Sequence, residues 1–259
     1  MEVLISATGL KKTFKLSKKQ QKINRSPETH KIAVGGVSFE CRAGEIYGLL
    51  GPNGAGKTTV MRILSTLMKA DEGDAVIMGH SVKTDCESVR KSIAFLTSEL
   101  KLDEFFTPNY LYDFYCKLHG TPEEVRVARK KMLFDKFGIH KFAEVKVGEM
   151  STGMKQKVSL VIALAHDPRV IIFDEPTNGL DVLTARVVTD FLAELKKEGK
   201  CVIVSTHIFS LIERVCDRIG IIINGKMVLD DTLDKVRGGK SLEDRFFEIY
   251  REVTGGVGI

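Results

Sequence analysis

The densest run of chemically useful residues is Gly51-Pro52-Asn53-Gly54-Ala55-Gly56-Lys57-Thr58, which satisfies the spacing G-x-x-x-x-G-K-[ST] without a mismatch. Gly51, Gly54 and Gly56 let the backbone curl until several N–H groups aim at one point, and a helix starting at Lys57 adds its positive end there. Such a nest selects phosphate. In a nucleoside triphosphate, Lys57 can reach the β- and γ-phosphates, the Thr58 hydroxyl suits Mg²⁺, and Thr59 can touch the α-phosphate.

A second constellation lies far downstream. Val170-Ile171-Ile172-Phe173 is an apolar run that ends in Asp174 and Glu175. Carboxylates at the carboxyl edge of a buried strand sit where open α/β sheets bind ligands. There Asp174 can organise Mg²⁺ through water, and Glu175 can polarise an attacking water as general base. The loop alone is equally compatible with a kinase, a GTPase, a helicase or a transporter motor.

These residues need a scaffold of a particular kind. Short β-type runs (Glu45 to Leu50, Ala75 to Met78, Ser92 to Leu96, Val170 to Phe173, Cys201 to Ser205, Ile219 to Ile223) alternate with helical stretches, one of them Lys57 to Leu67. The alternation predicts an α/β fold with a parallel core sheet, and strands apolar on both faces predict helices on either side. Asn224-Gly225 between two apolar runs predicts a hairpin. From about 99 to 168 the starts at Thr107-Pro108, Thr121-Pro122-Glu123-Glu124 and Ser151 predict a helical insertion, with Val125, Met132, Leu133 and Phe137 as packing positions.

At 259 residues the chain suits one α/β domain with an appended subdomain. No apolar run approaches the ~20 residues of a bilayer span, and the first ten residues lack the pattern of a signal peptide. Five cysteines without paired spacing fit reduced thiols and a cytoplasmic setting. The net charge of +5 is local: residues 11 to 31 carry +7, which leaves −2 for the remainder. A global basic field for nucleic acid is therefore absent. Residues 15 to 30 read as a basic, mobile loop insertion.

Met150-Ser151-Thr152-Gly153-Met154-Lys155-Gln156, just before the strand that carries Asp174, resembles the signature of the ATP-binding cassette (ABC) family, Leu-Ser-Gly-Gly-Gln. The chain keeps the serine and second glycine as Ser151 and Gly153. The resemblance extends in order: Asn178-Gly179-Leu180-Asp181 resembles the D-loop, Ser205-Thr206-His207 resembles the segment with the switch histidine, and Phe14 matches the aromatic that stacks on adenine. One departure concerns the Q-loop, where Ser98 stands in the usual place of Gln. Ser98 is too short to reach both Mg²⁺ and water, which leaves a water-bridged contact or the use of Glu99.

The resemblance implies the ABC ATPase fold, a P-loop NTPase with an N-terminal antiparallel β subdomain and a helical subdomain. It implies ATP and Mg²⁺ as ligands, Glu175 and His207 in catalysis, and Ser151 and Gly153 meeting nucleotide across a dimer interface with a second ATPase subunit, an identical chain by expectation. Within the family the wording is most similar to the ABC-2 exporter branch and its sodium-efflux-type subunits, with exporters of drug, polysaccharide or lipid as alternatives. The implied setting is peripheral on the inner face of the membrane, against separate membrane-spanning subunits. A soluble ABC ATPase acting on nucleic acid or the ribosome is the competing class. The chain lacks the long coiled coil or tandem cassettes of those proteins.

Overall fold

A computed structural model describes residues 2–19, 21, 28–97, 102–177 and 182–256. Among the described residues, ten strands fall into two sheets: β1 (Val3–Lys15), β2 (His30–Arg42), β3 (Ile46–Leu50), β4 (Glu72–Ile77), β5 (His80–Ser81), β6 (Ile93–Thr97), β7 (Val170–Asp174), β8 (Cys201–Thr206), β9 (Arg218–Ile223) and β10 (Lys226–Thr232). The first sheet, in the order β2-β1-β4-β5, is antiparallel throughout. The second runs β10-β9-β3-β8-β7-β6 and is parallel except for β10.

The central strands read as unbroken apolar runs because each buries both faces. Along β7, Val170 and Ile172 enter the core shared with the antiparallel sheet, whereas Ile171 and Phe173 enter the core on the opposite side. On β8, Cys201 and Ile203 alternate with Val202 and Val204 in the same way. A period of two with no polar face is what helices on one side and a second sheet on the other require.

The helices are α1 (Lys57–Leu64), α2 (Cys86–Ser92), α3 (Pro108–Leu118), α4 (Glu123–Phe137), α5 (Thr152–Ala163), α6 (Val182–Lys197), α7 (Phe209–Val215), α8 (Leu233–Arg237) and α9 (Leu242–Thr254). Their starts follow local chemistry: the Thr107 side chain accepts from the Tyr110 N–H ahead of Pro108, and the Ser151 hydroxyl accepts from the Met154 N–H. Helix α1 stops three residues before the expected Leu67, because Thr66 takes a left-handed φ of 62°. Between β6 and β7 the described residues form helices α3 to α5 and short 3₁₀ turns.

One sequence expectation changes. On α4, Leu133 and Phe137 are buried, but Val125 and Met132 are each 41% exposed. Only one face of this helix meets the core, and those two positions lie off it. The ladder reaches Lys15 opposite His30, at the bounds read for the basic loop, and the Leu16 N–H donates to Thr29 O at 2.8 Å. Gln20 and residues 22–27 lie outside the described residues.

Candidate functional site

The glycine-rich loop joins β3 to α1 at the carboxyl end of the central sheet. Two of its glycines are dictated by contact. A Cβ on Gly51 would sit 2.2 Å from Ile222 O, and one on Gly56, where φ is 109°, would sit 2.2 Å from Ala33 O. The loop is thus wedged between β9 and β2. It is also bolted to the β9–β10 hairpin tip: the Gly225 N–H donates to Ala55 O at 3.0 Å, and the Gly35 N–H donates to Gly225 O at 2.7 Å. Asn224 and Gly225 adopt φ of 49° and 77°, the backbone of a tight hairpin turn.

Lys57 is only 5% exposed and folds back under the loop, its Nζ donating to Gly51 O at 2.7 Å and Pro52 O at 3.2 Å. Burial pulls its pKa below the ordinary lysine value, while the carboxylates of Glu175 and Asp174 oppose that shift. The ammonium therefore has carbonyl partners that an incoming phosphate can replace.

Parallel register places the second constellation against the first. Asp174 of β7 lies beside Ser205 of β8, and the Asp174 carboxylate accepts from both the Ser205 hydroxyl and the Thr58 hydroxyl, the latter at 3.2 Å. Glu175 follows with φ of 56°, a left-handed backbone that a residue with a Cβ adopts only under constraint. Its N–H donates to Ser205 O at 3.0 Å. His207 Nδ1 donates to Glu175 Oε1 at 3.1 Å, and Glu175 Oε2 is buried without a hydrogen-bond partner. A buried, unpartnered carboxylate oxygen is costly in isolation. Here it belongs to a residue that lines a cavity.

That cavity, about 320 Å³, is walled by Phe14, Lys31, Ala33, Asn53, Gly54, Gly56, Lys57, Thr58, Thr59 and Glu175. Phe14 is brought there by β1, far from the loop in sequence. Gly51, Pro52 and Ala55 form the back of the loop rather than the wall. Ser151 and Gly153 stand at the start of α5 and are not part of the wall; Ser151 is exposed. Ser98, Glu99 and Asn178 to Asp181 lie outside the described residues.

Sequence reasoning passed over three participants. Ser205 reaches Asp174 through strand pairing, a relation that no local motif carries. Lys31 and Ala33 enter the wall because β2 returns beside Phe14. The signal that could have found Lys31 is its place at the end of the basic segment, one hairpin away from Phe14.

Thr58, Asp174 and Glu175 offer oxygen donors, the chemistry that a hard cation such as Mg²⁺ selects, so the residues present fit that ion. The wall as a whole joins an aromatic face, a phosphate nest and the Glu175 carboxylate in one cleft, with Asp174 held just behind Thr58.

Known proteins resemble this chain in sequence and fold. The family model described as ABC transporter matches residues 34–178. The ABC transporter ATP-binding protein NatA of Bacillus subtilis (strain 168) is 31% identical over 226 residues, covering 87% of this chain and 92% of NatA. Nod factor export ATP-binding protein I of Burkholderia lata is 36% identical over 200 residues, covering 77% of this chain and 66% of that protein. Among solved structures, an ATP binding subunit of an ABC transporter superposes with a TM-score of 0.84 at 28% identity, covering 95% of this chain and 99% of its own. The cassette MJ0796, in a dimeric post-hydrolysis state bound to ADP and Pi, gives 0.75 at 25% identity, covering 88% of this chain and 98% of its own. This chain belongs to the ABC transporter family, as an ATP-hydrolysing, nucleotide-binding subunit.

Proposed function

We propose that this chain hydrolyses ATP at the interface of a homodimer to drive export through separate membrane-spanning subunits. The observation that carries the reading is Glu175, whose one carboxylate oxygen is held by His207 while the other is unpartnered and buried beside the phosphate nest. Adenine stacks on Phe14, the phosphates lie in the Gly51–Thr59 loop, and Thr58 and Asp174 hold Mg²⁺. When bound, that ion neutralises charge on the phosphate oxygens. Glu175 orients the attacking water and accepts its proton. His207, held on Glu175 through Nδ1, is placed to meet the γ-phosphate and to sense its loss. Ser151 and Gly153 of a second copy close the site, with the start of α5 facing the phosphate.

Docking to a membrane subunit is supported by α3. Phe106, Tyr110, Phe114 and Leu118 recur every fourth residue and are all exposed, with Tyr110 stacked on Phe106 at 4.5 Å and on Phe114 at 6.2 Å. Tyr115 and His119 of the same segment line an adjoining apolar groove of about 410 Å³ that also contains Leu67, Phe95 and Leu102. No helix among the described residues is long and apolar enough to cross a membrane. Sodium is the cargo favoured by the sequence resemblance. The names of relatives, which include Nod factor export and doxorubicin resistance, keep larger exported molecules as the alternative.

The test is equilibrium binding of a fluorescent ATP analogue together with phosphate release. Wild-type chain should bind and turn over ATP, and Lys57→Ala should lose binding at least tenfold while keeping its melting temperature. Unchanged affinity in the variant would overturn the site.

A further inference from the structure

Lys31 has no role in the chemistry above, yet it stands in the wall of the same cavity. In the β1–β2 ladder it lies directly opposite Phe14, and directly opposed residues of an antiparallel pair point to one face. Its Nζ lies 3.9 Å from the point where a Cβ on Gly54 would stand, which puts the ammonium at the rim of the phosphate nest. Two residues further along β2, Ala33 O is the atom that forbids a side chain on Gly56. The strand bearing Lys31 is therefore fixed against the loop.

A neighbouring lysine makes the contrast. Lys12 sits 5.9 Å from the Phe14 ring, but its ammonium is committed to Asp71 at 2.7 Å. Lys31 is exposed and forms no ion pair or hydrogen bond among the described residues. Two lysines thus flank the nest, one buried beneath it on carbonyl oxygens and one at its rim without a counter-charge. A cation held at a fixed rim beside Phe14 is suited to the anionic chain that links a stacked base to the nest.

We propose that Lys31 is a second cationic ligand for the phosphate chain of the nucleotide, acting from the outer wall of the cavity while Lys57 acts from beneath. The inference rests on the nucleotide reading of this cavity. The contact is exposed, so its worth is that of a screened charge pair, about three- to tenfold in affinity and smaller at high salt.

The experiment measures dissociation constants of labelled ATP and ADP for wild-type, Lys31→Ala, Lys31→Arg, Lys12→Ala and Lys57→Ala chains at low and high ionic strength. Melting curves check that each variant is folded. Lys31→Ala should weaken ATP binding three- to tenfold, weaken ADP binding less, and show a shallower salt dependence. Lys31→Arg should retain affinity, and Lys12→Ala should stay within twofold of wild type. Lys31→Ala within twofold of wild type, with Lys57→Ala impaired, would overturn the role of Lys31 and leave the nucleotide site standing. Equal losses in Lys31→Ala and Lys12→Ala would overturn it too, by tracing the effect to overall charge. A wild-type chain that binds no ATP would remove both readings.

Discussion

Glu175 and His207 hold one another across the carboxyl ends of adjacent strands, the imidazole Nδ1 lying 3.1 Å from the carboxylate Oε1. The pair is lopsided: the Glu175 side chain is 16% exposed and that of His207 47%. The base is tucked into the cleft, and the residue that steadies it faces outward. Glu175→Gln should slow hydrolysis by about 10² to 10⁴, the usual worth of a positioned base, and leave ATP binding intact. His207→Ala should lower the rate less, because Glu175 keeps the backbone hydrogen bond to Ser205 O. Single-turnover phosphate release from both variants checks the order.

Two glycines of the loop should respond differently to alanine. Gly54 has a φ of 78°, and only Lys31 Nζ, at 3.9 Å, would approach its Cβ. Gly54→Ala therefore costs about 1 kcal/mol, the penalty of a left-handed backbone. Gly56→Ala adds a clash with Ala33 O at 2.2 Å. Its cost should exceed about 2 kcal/mol, and ATP affinity should fall with it as the loop separates from β2. Urea midpoints and ATP binding on the two variants give the comparison.

A pair of histidines sets a pH limit on stability. His119 and His166 stack at 3.8 Å between α3 and the end of α5, and His166 Nε2 donates to Ile93 O at 3.0 Å. Burial, followed by the neighbouring His119, pushes the pKa of His166 from 6.5 down to about 4, and burial also lowers that of His119. Of the charged groups nearby, Arg129 acts in the same direction and Asp167 against it. The unfolded chain thus binds more protons than the folded one within this window. Stability should be complete above about pH 6.5 and decline as pH falls towards 4, by on the order of 2 kcal/mol. Thermal melts across pH 4 to 8 should show a shallower acid decline in His166→Gln than in the wild-type chain.

Docking and turnover should separate on α3. Tyr110→Ser combined with Phe114→Ser removes two rings of the exposed stack and disturbs neither the loop nor the carboxylates. ATP hydrolysis by the isolated chain should stay within about twofold, as expected of exposed substitutions. Co-purification with the proposed membrane subunits should fall at least tenfold, since aromatic anchors dominate such contacts. Pull-down from detergent extracts decides it.

The parts of the site legible in the sequence are those whose chemistry is local. The Gly51–Thr58 loop carries its backbone freedom and its ligands in consecutive residues. The run Val170 to Phe173 shows a strand buried on both faces because nothing polar interrupts it. What escaped depends on pairing between distant strands. Asp174 meets Ser205 only because β7 and β8 are in register, and Lys31 meets Phe14 only through the β1–β2 ladder. The left-handed backbone of Glu175 has no sequence marker, since glycine is the residue that normally announces such a φ. Val125 and Met132 misled for the opposite reason: their spacing is helical, but spacing does not say which face a helix turns inward.

The hairpin tip at Asn224-Gly225 braces the glycine-rich loop through Ala55 O and fastens β2 through the Gly35 N–H. The ribosome delivers that loop long before it delivers the brace. A growing chain that has not reached Gly225 has the phosphate nest in sequence but lacks the clamp that shapes it, together with the β9 carbonyl against which Gly51 packs. ATP can stabilise only a conformation able to bind it. Nucleotide can therefore stabilise the nest only once the chain through Gly225 has emerged, and until then the earlier strands rely on their apolar cores.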